Sequence, residues 1–152
     1  MTTPEDIRRA NAGSREQIRA LTQLDPEVLG VELDADWTGS ALLAHVAFWD
    51  RLLVARWALA TGRGEALPVS FGRDLTDLVN GALLPEWRTL PAPTALELAI
   101  GSAEEVDATI AALAPDRIAA ALDANQPRLV DRSQHRIEHL AALEASLGGA
   151  TG

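Results

Sequence analysis

Apolar positions along this chain recur at steps of three and four residues, and no segment alternates apolar and polar residues for long. That pattern predicts helices. The first runs from Pro4 to Leu24, with Thr3 as N-cap, Pro4 at the first helical position and Ile7, Ile18, Leu21 and Leu24 as its apolar stripe. Asp25-Pro26 and Gly30 then break the pattern. The second helix follows Trp37-Thr38-Gly39-Ser40, with Thr38 as N-cap, and continues through a long apolar-rich run to Ala60, closed by Gly62. A longer connection from Gly62 to Phe71 leads to a short helix over Asp74 to Leu84, broken at Pro85. Another helix is expected from Ala95 to Ala114 after Thr94, then a turn or short helix over Asp116 to Ala124. The last runs from Leu129 to Leu147 and stops at Gly148-Gly149. Four long helices, with a longer crossover connection between the second and third, predict an all-α four-helix bundle. It forms one domain over residues 1–152, with residues 148–152 as a flexible Gly-rich tail.

Composition narrows the chemistry. A chain of 152 residues with 47% hydrophobic side chains can close a single core. The formal charge of −9 would repel a phosphate backbone, so nucleic acid is not the expected partner. No apolar run approaches the roughly 20 residues of a membrane span. The acidic start, Met1 to Asp6, has no apolar core of a secretory signal, so the expected location is the cytoplasm. Cysteine, lysine and tyrosine are all absent. Their absence removes thiolate nucleophiles, cysteine metal sites, Schiff bases and the phenol as general acid. Histidine, carboxylates, hydroxyls and arginine remain. An Ala- and Arg-rich, Lys-free composition also suggests a GC-rich bacterial genome.

The chain has three histidines. His135 and His139 lie four residues apart on the last predicted helix, which places both imidazoles on one face, one turn apart. Such a pair suits two ligands of one metal ion. His45 lies early in the second helix, in a column with Thr38, Trp49, Leu52 and Arg56 that is mostly a packing face. All three can point inward, where two facing helices would bring them together. Against this, a lone histidine on an apolar face is more often a hydrogen-bonded core residue than a ligand. The i, i+4 pair can equally lie on a solvated face with Arg136 and Glu138. His135-x-x-Glu138-His139 also matches the inverted zinc-protease pattern, but that pattern needs a third ligand far downstream and thirteen residues follow here. A di-iron bundle needs Glu-x-x-His pairs, and the chain has none.

The segment Trp37-Thr38 followed by Leu43-Ala44-His45-Val46-Ala47-x-Trp49 resembles the second-helix signature of the DinB-like superfamily. Those small bundles include mycothiol-dependent maleylpyruvate isomerase and related thiol transferases. Asp77-x-x-Asn80 leading into Glu86-Trp87-Arg88 is similar to the middle region of that family. His135-x-x-x-His139-Leu140-x-x-Leu143 resembles its last-helix signature. The resemblance implies a four-helix bundle of DinB type, holding a divalent metal by one residue of the second helix and two of the last. Carried over by position, these are His45, His135 and His139. The chain ends before the C-terminal extension of the isomerase would begin, so maleylpyruvate is not carried over as substrate.

Three neutral imidazoles leave coordination positions open, as in catalytic rather than structural zinc sites. The ligands suit zinc or nickel, and copper or iron as well. An open site can generate hydroxide or thiolate near neutral pH. Because the chain has no cysteine, any thiolate would come from a small cofactor such as mycothiol, and the resemblance implies that it adds to an electrophile at the metal. Arg132 and Arg56 are candidate contacts for a carboxylate or sugar hydroxyls, Trp49 a candidate pocket wall, and Asp50 and Asp131 candidate acceptors behind the imidazoles. For each arginine a surface ion pair is the plainer role, and for Trp49 core packing. Glu138 lies beside the ligand stripe, on a solvated face. The leading expectation is a metal-dependent thiol transferase or isomerase-like enzyme. A metal-dependent hydrolase using the same site, or a non-catalytic bundle binding a small molecule or partner, is the alternative. A homodimer is left open.

Overall fold

The computed structural model describes residues 1–149. It is all-helical, with six α-helices among the described residues: α1 (Pro4–Ala20), α2 (Gly39–Gly62), α3 (Arg73–Trp87), α4 (Ala92–Ala111), α5 (Pro115–Asp123) and α6 (Ser133–Gly149). Short 3-10 turns cover Leu21–Gln23, Pro26–Gly30 and Pro127–Leu129. Residues 150–152 of the expected tail lie outside the described residues, while Gly148 and Gly149 belong to α6. None of these helices is long and apolar enough to cross a membrane.

Both predicted N-caps are in place. Thr3 accepts from the amide of Asp6, whose carboxylate takes the Thr3 amide in return, and Thr38 accepts from the amide of Ala41. Several predicted boundaries are corrected. The first helix tightens into a 3-10 turn after Ala20. The helix α3 runs through Pro85, which removes a single donor; the next turn is closed by the Arg88 amide on the Leu84 carbonyl, and Trp87 is buried. The helix α4 begins three residues before Ala95, because Pro93 in its first turn lacks only an N–H that would have no partner there. The helix α6 begins at Ser133 rather than Leu129, since Asp131 accepts the Ser133 amide and starts the helix at that point.

The helices α1, α2, α4 and α6 pack on one another, and α3, inside the connection from α2 to α4, lies against α2. The core is divided. Beside a small cluster of Ala41, Ala44 and Trp87, one large apolar cluster holds Ile18, Leu43, Val46, Ala99, Leu140 and Leu143, and a second holds Ile7, Leu53, Trp57, Val106, Ile110 and Val130. Between them each helix contributes polar groups at helical spacing: Asn11 and Ser14 between Ile7 and Ile18, Asp50 between Val46 and Leu53, Asp107 between Ala103 and Ile110, and Arg132 and Arg136 between Val130 and Leu140. Arg136, which the alternative reading of this helix puts on a solvated face, is fully buried.

The helix α2 starts against the preceding 3-10 turn. A Cβ on Gly39 would stand 2.1 Å from the Leu29 carbonyl oxygen and 2.9 Å from Leu143 Cδ1. G39A is therefore expected to destabilise the fold by about 2–3 kcal/mol, lowering Tm by roughly 5–10 °C. G101A, where an added Cβ meets nothing, is expected to raise it slightly. Thermal melts of the two variants check both outcomes.

Candidate metal centre

His45 is presented by α2, and His135 and His139 by successive turns of α6. The three rings converge, with centroids 5.1 Å (His45–His135), 4.8 Å (His45–His139) and 4.6 Å (His135–His139) apart. One ring nitrogen from each lies within 4.8 Å of the other two. The group could hold a metal ion. His45 and His135 are buried and His139 is half-buried. Their Nε2 atoms, 3.1 Å apart between His45 and His135, have the spacing of two nitrogens each about 2.1 Å from one ion and at roughly a right angle.

Position on α6 is set from α1. The Asn11 side chain donates to the Val130 carbonyl at 2.9 Å and accepts the Arg132 amide at 2.8 Å, clamping the segment that enters the helix. Arg132 then reaches back: its Nε donates to Asp50 Oδ1 at 2.8 Å, and its Nη2 lies 3.2 Å from His135 Nδ1. A guanidinium only donates, so His135 Nδ1 accepts and the ring proton sits on Nε2, facing the lone pair of His45 Nε2. That leaves the His45 proton on Nδ1, a buried atom with no hydrogen-bond partner. For His135 to ligate an ion as a neutral imidazole through Nε2, its proton would have to stand on Nδ1, and Arg132 would have to give up its donation there.

All three imidazoles are held neutral, which is the form that ligates metal. Burial, followed by the neighbouring His139, pushes His45 down to about 3. Burial also lowers His135, helped by the Arg132 charge, and lowers His139 despite the opposing effect of Glu138. Trp37 and Trp87 stand edge-on to the His45 ring at 5.3 and 5.5 Å; Trp87 is buried, and Trp37 reaches the cavity wall. The histidines open on a cavity of about 1140 Å³, whose wall includes Trp49, Arg56, Phe71, Arg128, Arg132 and Glu138. Trp49 is fixed by its indole N–H donating to Asn80 Oδ1 at 2.8 Å.

The chain matches no family model, and neither a curated protein nor a solved structure matches it significantly.

Arg132, Arg56 and Trp49 all line the cavity. Asp50 and Asp131 do not stand behind the imidazoles as expected: Asp50 takes the guanidiniums of Arg132 and Arg136, and Asp131 caps α6. Glu138 is exposed and faces Arg128 at 3.8 Å. Sequence reasoning missed Arg136, Asp107, Asn11 and Ser14. Arg136 spends all its donors inside, on Asp50, on Asp107, on the Asn11 carbonyl and on Ser14 Oγ. Arg15 adds a 2.8 Å pair to Asp107. The available signal was a charge standing in an otherwise apolar helical column, as Asp107 does between Ala103 and Ile110.

Proposed function

We propose that this protein is a divalent-metal-dependent enzyme of DinB type that uses a small external thiol, such as mycothiol, on a small electrophile by transfer or isomerisation. The observation that carries this reading is the convergence of three neutral, largely buried imidazoles on the wall of a cavity large enough for two small molecules. His45, His135 and His139 would hold the ion. When bound, such an ion retains its full positive charge against neutral ligands and lowers the pKa of a coordinated thiol or water into the neutral range. The remaining work falls to the chain. Trp87 packs behind His45, Arg132 stands beside His135 with its Nε anchored on Asp50, and Trp49 and Phe71 offer flat apolar surface to the reactants. With no cysteine in the chain, a thiol must come from solution.

Metal stoichiometry by mass spectrometry on tag-free protein tests the centre. The expected result is close to one equivalent of zinc or nickel in the wild type and none in the H135A/H139A variant. No metal in either after incubation with both ions would overturn the proposal. In metal-loaded protein, product formation that requires added thiol supports transferase or isomerase-like chemistry, whereas hydrolysis without thiol would replace it with a hydrolase using the same site.

A further inference from the structure

The cavity wall carries a cation that forms no ion pair among the described residues. Arg56, about three turns beyond His45 on α2, is half-buried. Its Nη2 donates to the Val69 carbonyl and its guanidinium lies over the Phe71 ring at 5.0 Å. Its Nε is buried without a hydrogen-bond partner. Among the described residues it forms no ion pair, in contrast to Arg15, Arg132 and Arg136, which are matched by Asp50 and Asp107. Three arginines, Arg56, Arg128 and Arg132, line the cavity against two carboxylates, Asp34 and Glu138, and Glu138 already faces Arg128. An under-satisfied guanidinium is costly to hold in a half-buried wall unless a ligand completes it.

We propose that the cavity binds a small organic acid, with its carboxylate on Arg56, its apolar or aromatic body against Phe71 and Trp49, and its other end toward the three imidazoles. A single uncompensated charge suits a monoanion, and the planar fork of arginine suits the two oxygens of a carboxylate better than a dianionic phosphate. The inference rests on the reading of this cavity as the substrate site, and its test keeps the two separable.

Benzoate, benzamide and phenyl phosphate serve as probes, titrated into zinc-loaded and chelator-treated protein by calorimetry. Benzoate is expected to bind the wild type at least tenfold more tightly than benzamide. R56M, which keeps the aliphatic stem, should lose that preference, while R56K should keep part of it. Circular dichroism and melting temperature confirm that the variants fold. Equal benzoate affinity in the wild type and R56M, no benzoate binding to the wild type, or tighter binding of phenyl phosphate would each overturn the proposal. Metal content measured on the same samples distinguishes the readings. Metal without benzoate discrimination sinks the acid site alone, and Arg56-dependent benzoate binding in protein that takes up no metal sinks the metal centre alone.

Discussion

D50A is expected to remove about 3–5 kcal/mol of stability, a large share of the roughly 5–15 kcal/mol that holds a domain of this size together. Asp50 is fully buried and accepts from Arg132 Nε at 2.8 Å and from Arg136 Nε and Nη2 at 3.2 and 3.1 Å. Its loss leaves Arg132 with no carboxylate and Arg136 with Asp107 alone, and strands positive charge in the core. Asp107 cannot take over, since it already serves Arg15 and Arg136. Removing both sides of the pair is a different matter. D50L combined with R132M and R136M should be milder than D50A, because Asp107 keeps Arg15 and no buried charge is left without its opposite. Urea unfolding at pH 7.5 reads both. A loss under about 1 kcal/mol for D50A would show that Arg132 and Arg136 find other partners or water.

The second large effect is on acid stability. The folded pKa of His45 and His135 is depressed, while the unfolded value stays near 6.5. Above that value both states are neutral and the histidines carry no penalty. Below it the unfolded chain takes up protons that the folded protein refuses, so stability falls as pH falls. Each of the two buried imidazoles contributes a slope approaching 1.4 kcal/mol per pH unit, together about 4 kcal/mol between pH 7 and pH 5 in metal-free protein. Most carboxylate titration lies lower, so this window reports the histidines. Denaturation midpoints at half-unit steps should show the drop in chelator-treated wild type and a much flatter profile in H45L/H135L. An equally steep profile in the variant would assign the pH dependence to other groups. Bound metal should protect the fold across the same window until protons displace it.

Helix content and caps were legible because they rest on local signals: Thr3 and Thr38 accept amides of their own first turns, and the long apolar columns repeat at helical spacing. The histidine trio was legible by spacing and by resemblance, with His135 and His139 necessarily on one face. What pairs across 80 or more residues was not. Nothing near Arg136 announces that Asp50 lies opposite, so a guanidinium beside a histidine reads as a solvated charge until α2 and α6 are brought together. The same holds for Asn11, whose partners Val130 and Arg132 stand more than a hundred positions away. Pro85 shows the opposite error, where a strong local breaker is overridden by the burial of Trp87.

The polar stratum between the two large apolar clusters also acts as a vernier on how the helices mesh. An interface of leucines and valines alone tolerates slippage, because one turn's displacement of about 5.4 Å exchanges one hydrocarbon contact for another. Here a slip of α6 along α2 by one turn would push Arg136 among Leu43 and Val46 or among Leu53 and Trp57, away from Asp50. His135 and His139 ride on the same helix, so the alignment that keeps Arg136 on its carboxylates also fixes both of them opposite His45. The alignment of the three imidazoles is thus set by a neighbouring charge match that binds nothing itself.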